Sequence, residues 1–298
     1  MGVCNTGSGW VHWTKGRILM RAWAWILMAA LMPGMALAKS SAEPPQRVVS
    51  MNLCTDQLAM LVAGDDQLVS VSALSQDPNS SAMADAAAAF PVNHGRAEEI
   101  HLFEPDLVIA GRFNAGATVS MLQRLDIPVV VFEPANSLSD VRENLRRMGK
   151  VLGQAERAEQ LIAAFEGRLA ILSATTLNAP AAALYFPNGY TRGEGTLVGD
   201  IVRVAGFANV ASDYGIRTGA HLSLEQLVMA APELVITGSR HAGYSRSETI
   251  MEHPVLAQAA ASGAHRGLVN RDWICGTPHV LAAIERIGAL RGELVRRE

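Results

Sequence analysis

The chain has 298 residues, with 25 Lys and Arg against 28 Asp and Glu, a net charge of −3 and 49% apolar side chains. That charge balance excludes a polybasic nucleic-acid binder. The apolar content excludes an intrinsically disordered chain and is ample for the packed cores of one large or two ordinary domains.

In chain order, residues 21–38 come first. They carry a basic start at Arg21, an apolar run over 22–32, a Pro33-Gly34 break and an Ala36-Leu37-Ala38 ending. This is the pattern of a secretory leader, residues 1–38, cleaved after Ala38. The apolar run is about half of the roughly 20 residues that a bilayer-spanning helix requires, which makes a membrane anchor the weaker reading. Residues 1–19 are polar and Gly-rich, and a leader beginning at Met20 does not need them. Cleavage removes Lys15, Arg17 and Arg21 and no acid, so the exported part holds 22 basic against 28 acidic residues, a net of −6. It also removes Cys4, leaving Cys54 and Cys275 in a compartment that favours disulfides. No cysteine closely follows the cleavage point, so a soluble periplasmic or secreted protein without a lipid anchor there is expected.

After a short Pro-containing entry, Val48, Val49 and Met51 form a brief apolar strand. Helical spacing over residues 56–62 ends at Gly64-Asp65, and residues 68–73 read as a second strand. Short buried strands alternating with helices predict α/β layering with parallel pairing. A shift of 127 positions then lays EEIHLFEPDLVIAG (98–111) over EQLVMAAPELVITG (225–238). Glu98 falls on Glu225, Pro105 on Pro232, Asp106 on Glu233, and Leu107-Val108-Ile109 on Leu234-Val235-Ile236. Each copy reads as an acid-started helix, a Pro-acid turn and a buried strand, and the register favours a duplicated lobe over chance likeness of generic helix-strand units. Between the copies, residues 138–172 carry a helical apolar stripe without proline, predicted to be a linking helix of about 50 Å with a bend or break near Gly149 and Gly153. The architecture predicted is an N-terminal lobe (47–137), this linking helix and a C-terminal lobe (178–298).

No residue is assigned a catalytic role: there is no Gly-x-Ser-x-Gly elbow, Walker-type loop or His-Glu-x-x-His helix. The histidines show no metal-ligand spacing, so no metal site and no cofactor are assigned. All four tyrosines, with Trp273, lie in the second lobe, and aromatic faces at strand ends suit bulky ligands. Tyr185, closing the strand over 181–186, and Tyr190 and Arg192, just past the Pro187-Asn188-Gly189 turn, are candidate ligand contacts together with Trp273. Core packing is the competing role. Arg112 and Arg240 follow the two repeat strands, where a guanidinium either clamps an anionic ligand or is a solvated loop charge.

The run RVVSMNLCTDQLAMLVAG, the two E-x-x-x-x-x-x-P-[DE]-L-V-I units and DWICGTPHVLAAIERIG resemble the iron-siderophore and cobalamin binding proteins of ABC importers. The resemblance implies an α/β fold of two Rossmann-like lobes with parallel sheets, bridged by a long α-helix. It implies a monomeric periplasmic receptor, not an enzyme, that captures a metal chelate (ferric siderophore, cobalamin or haem) between the lobes. It also implies docking of an acid from each lobe, Glu98 and Glu225, onto an inner-membrane ABC permease; the same acids otherwise serve as helix-start charges. The loop after the first strand, with Asn52 and Cys54, and the loop before the last helix, with Trp273 and Cys275, are then placed at the ligand. Cys54 and Cys275 could face one cleft as a disulfide, as a soft-ligand pair or as two buried thiols. The competing readings are an exported α/β hydrolase or chelatase-like enzyme and a receptor for free zinc or manganese.

Overall fold

The structure is a computed structural model that describes residues 43–114, 116–173, 178–238, 245–261, 265–267 and 270–296. The predicted leader and Arg240 lie outside the described residues. The first half runs β1 (Val48–Ser50), α1 (Leu53–Val62), β2 (Leu68–Ser72), α2 (Ala84–Ala87), β3 (Val92–Asn93), α3 (Ala97–His101), β4 (Leu107–Gly111), α4 (Gly116–Arg124) and β5 (Val129–Phe132). Then come α5 (Leu138–Leu152) and α6 (Ala155–Leu172). The second half runs β6 (Ala181–Leu184), β7 (Tyr190–Arg192), α7 (Leu197–Val204), β8 (Ala208–Asn209), β9 (Gly219–His221), α8 (Leu224–Ala230), β10 (Leu234–Thr237), α9 (Pro254–Ala261), β11 (His265–Gly267) and α10 (Val280–Val295).

Two parallel sheets result, ordered β3-β2-β1-β4-β5 and β11-β10-β6-β8, with a small antiparallel ribbon of β7 and β9. The 127-residue repeat reappears as topology. β4 lies between β1 and β5, and β10 lies in the same way between β6 and β11. Its turn is repeated in detail: Glu104 and Ala231, 127 apart, both reverse the chain with positive φ, 48° and 42°. The acid after each proline has one function in both lobes. Asp106 accepts the N–H groups of Gln46 and Arg47 at 2.6 and 3.0 Å, just ahead of β1, and Glu233 accepts that of Ala181 in β6 at 2.7 Å. Each carboxylate thereby fixes the start of the neighbouring parallel strand, where backbone donors have no ladder partner.

The linking stretch over residues 138–172 breaks at Gly153, one of the two glycines where a bend or break is expected, but its second half folds back instead of continuing as one brace. α5 ends at Gly153, whose backbone is left-handed (φ 71°, ψ 20°), and α6 returns antiparallel to it. Arg146 meets Glu159 at 2.7 Å and Arg142 meets Glu166 at 3.5 Å, so rising numbers on one helix face falling numbers on the other. Glycine is required twice: at 153 for its backbone, and at 149 because a Cβ there would collide with Ala158 across the hairpin. Helix α6, about 27 Å long, remains as the bridge. Near its start Arg157 donates to the carbonyl of Leu61 in α1 (2.8 Å), and near its end Arg168 pairs with Glu285 in α10 (2.7 Å).

The alternation of strand side chains divides the core. Val48, Leu107 and Ile109 of the first sheet and Ala182, Leu184, Leu234 and Ile236 of the second share one continuous cluster with α5, α6, α7 and α10. The opposite strand faces are private to each lobe. Val49, Val108 and Ala110 pack on α3 and α4, whereas Ala183, Tyr185 and Val235 pack beneath α8.

A left-handed alanine costs about 1–2 kcal/mol that glycine avoids. Ala231→Gly is therefore expected to raise the free energy of unfolding by about 1 kcal/mol. Asp106→Ala and Glu233→Ala are each expected to lower it by about 1–2 kcal/mol. Denaturant unfolding of the three variants checks both signs.

Candidate ligand-binding cleft

The strand-end loops of the first lobe are tied together before any ligand is considered. Asn52 caps α1, its side-chain carbonyl accepting from the Cys54 N–H at 3.1 Å. The Asn52 amide lies over Gly111, where a Cβ would approach it to 2.8 Å. Asn114 accepts the Gly111 N–H at 2.5 Å and donates to the Met51 carbonyl at 2.8 Å, joining the loops after β1 and β4. Arg112 and Phe113 project from this braced loop, and Arg112 reaches Glu133, past β5, at 3.6 Å. Phe113 is 85% exposed.

In the second lobe, the Pro187-Asn188-Gly189 turn reverses the chain with two left-handed residues. Thr191 then donates to the Leu184 carbonyl at 2.6 Å, which fixes β7 against the end of β6. Across the ribbon, the Tyr190 phenol occupies the space that a side chain at Gly219 would need. Arg192 lies over the Tyr190 ring, 5.4 Å from its centroid, a cation–π contact that orients both groups. Trp273, from the loop before α10, is 4% exposed and packs edge-on against Phe186 with centroids 6.4 Å apart.

These loops enclose a cleft between the lobes with two adjoining compartments. The smaller, about 230 Å³, is bounded by Asn52, Cys54, Arg112, Phe113 and Glu133 on one side and by Ile274 and Gly276 on the other. The larger, about 570 Å³, lies between Phe113 with Pro134 and a wall of Phe186, Tyr190, Arg192 and Trp273. Phe113 and Ile274 border both. Size, mixed apolar lining and a few polar groups are those of a small-molecule site.

Of the residues singled out by sequence, Asn52, Cys54, Arg112, Tyr190, Arg192 and Trp273 come together here. Tyr185 does not. Its side chain is fully buried on the private face of its sheet, because strand parity turns residue 185 away from the side taken by Leu184 in the shared core, and the cleft wall receives Phe186 instead. Burial raises the pKa of its phenol, and it carries no ligand role. Phe113, Glu133, Phe186 and Ile274 also line it without being marked in the sequence: Arg112 is distinguished by its charge, whereas a single phenylalanine beside it carries no motif.

Cys54 and Cys275 are bonded, joining the start of α1 in one lobe to the loop before α10 in the other, 221 residues apart in sequence. Cys275 is buried and Cys54 faces the smaller compartment, so the bond forms part of its floor. Next to it Gly276 packs so closely on Ala135 that a Cβ would collide. In the chain-entropy account, closing so long a loop stabilises the folded state by about 5 kcal/mol. A chain beginning at Lys39 is thus expected to titrate no thiol when denatured without reductant and two after reduction. Cys54→Ser is expected to lose up to about that stability in denaturant unfolding.

Helices α3 and α8 carry Glu98 and Glu225 in their first turns, both exposed. Ser223 caps α8, and hydrogen bonds from the Glu225 backbone N–H and from Ser223 hold the Glu225 carboxyl below the usual carboxylate range.

Residues 48–266 match the family model described as periplasmic binding protein. A vitamin B12-binding protein of Pectobacterium carotovorum is 27% identical over 265 residues, spanning 86% of this chain and 92% of that protein. Among solved structures, a periplasmic heme-binding protein of Roseiflexus sp. RS-1 superposes with a TM-score of 0.70 at 21% identity, over 84% of this chain and 98% of that one. An ABC-type Fe3+-hydroxamate transport protein of Saccharomonospora viridis gives 0.64 at 21% identity, over 84% and 94%. The two-lobed parallel α/β fold is common to these relatives, and the chain belongs to the periplasmic binding protein family.

Proposed function

We propose that this protein is the exported capture component of an ABC importer, binding a metal chelate in the inter-lobe cleft and presenting it to an inner-membrane permease. The observation that carries the reading is the cleft itself. Its walls are strand-end loops of both lobes, braced by side-chain-to-backbone hydrogen bonds and furnished with Phe113, Tyr190, Trp273, Arg112 and Arg192. Aromatic faces on opposing walls suit a flat or bulky ligand, and the guanidinium groups suit its peripheral oxygen atoms. Cobalamin is the first ligand to test, because the Pectobacterium relative bearing that name matches along nearly its whole length. Haem and ferric siderophores follow, favoured by the two arginines.

The reading includes a leader cleaved after Ala38, a monomer, and Glu98 and Glu225 as the acids that meet the permease, with association rate and orientation gaining most from such charges. It assigns no covalent chemistry. The described cleft lining holds no histidine, and the cysteine facing it, Cys54, is engaged in a disulfide. A receptor for free zinc or manganese needs at least three converging His, Cys, Asp or Glu ligands, and among the described residues there is no such group.

Once residues 1–38 are removed, Trp273 is the single tryptophan. Titration of its fluorescence with cyanocobalamin, hemin and a ferric hydroxamate is expected to show saturable one-to-one quenching by at least one of them. Tyr190→Ala or Phe113→Ala should weaken that ligand about tenfold or more. Absence of quenching by all three, together with absence of binding in equilibrium dialysis, would contradict the chelate-binding role.

A further inference from the structure

Isolated exposed apolar side chains are ordinary on protein surfaces. Two in this chain are not isolated in meaning. Leu102 is 81% exposed and Met229 is 80% exposed, and they are 127 residues apart, in the register of the repeat. Each stands four positions, one helical turn, beyond the acid of its lobe: Glu98 to Leu102 and Glu225 to Met229. The intervening core positions, Ile100 and Leu227, are buried, so helix geometry turns the acid and the apolar residue outward together. Around them the copies have diverged, His101 facing Val228 in the register and Phe103 facing Ala230, yet a large apolar side chain remains at the solvent-facing position. Both helices also have the same place in the fold. Each leads into an interior strand of its sheet, β4 between β1 and β5 or β10 between β6 and β11.

We infer that Leu102 and Met229 are paired apolar anchors for the permease, each seated in a socket beside the basic group that receives Glu98 or Glu225. This rests on the docking reading above and adds the component that supplies affinity. Exposed charges steer encounter and set orientation but contribute little binding energy, whereas an apolar side chain that is 80% exposed and becomes buried lowers the dissociation rate. Two equivalent acid-plus-apolar patches on one chain call for a partner with two equivalent sockets, as two symmetry-related membrane subunits provide. Glu99, beside Glu98, is excluded from this role because it is engaged by His94 at 2.8 Å.

The test uses the full exported chain, fluorescently labelled, and spheroplasts of the producing cell, with and without genetic depletion of its chelate permease. Permease-dependent binding is measured from low to high salt for wild type, Leu102→Ser/Met229→Ser and Glu98→Ala/Glu225→Ala. The apolar pair of substitutions is expected to weaken binding tenfold or more at every salt concentration, with the salt slope unchanged and the Trp273 titration as in wild type. The exchange Leu102→Met/Met229→Leu should restore binding. The acid pair should flatten the salt slope. Wild-type affinity in the Leu102→Ser/Met229→Ser variant, with weakened binding in the acid variant, overturns the anchors and leaves the docking acids standing. Weakened binding in the apolar variant alone supports the anchors and removes the acids. Wild-type binding by both variants overturns the anchors and the acid docking together.

Discussion

Everything else in this molecule depends on one apolar cluster that belongs to neither lobe alone. The inward-facing residues of both sheets, Val48, Leu107 and Ile109 on one side and Leu184, Leu234 and Ile236 on the other, are continuous through Leu145, Met148, Ile162, Phe165 and Ile284. A protein interior packed to crystal-like density does not shear without loss of contacts. Two lobes that share such an interior are held in one arrangement, unlike lobes connected only by flexible strands. Polar contacts register the same arrangement: Asp200 of α7 accepts the Leu138 N–H at 2.9 Å, so the first turn of α5 is fixed by the second lobe.

The cleft inherits its geometry from this frame. Its walls are loops, but each loop is anchored to a strand end or a helix cap: Asn52 and Asn114 on one side, Thr191 and Gly219 on the other. The Cys54–Cys275 bond adds a covalent limit at the floor, where the lobes already touch through Gly276 and Ala135. Preorganisation of this kind lowers the ordering cost of binding, and so favours capture of a scarce ligand over large induced closure.

Much of this was legible in the sequence because it is written in periodicity and register. The repeat identified the equivalent strands β4 and β10, and the structure adds why its Pro-acid turn is kept: Asp106 and Glu233 each fix a neighbouring strand. The hairpin of α5 and α6 was less legible. An apolar stripe of helical period is the same whether the helix continues or folds back, and only the left-handed backbone of Gly153 decides between them. Tyr185 was misplaced for a related reason. Its position at a strand end is evident from sequence, but the face it takes is fixed by the pairing of β6 with β10, which composition does not encode. Phe113 and the disulfide depend on residues far apart in the chain, Phe113 facing Tyr190 and Trp273 across the cleft and Cys54 meeting Cys275.

The central claim is that the lobes form one preorganised receptor, and solution scattering tests it most directly. The oxidised protein is compared alone and saturated with the chelate that quenches Trp273. A shared core and a cross-linked cleft floor predict superimposable profiles and an unchanged radius of gyration. A marked compaction on binding, of the kind that hinge closure produces, would contradict the account.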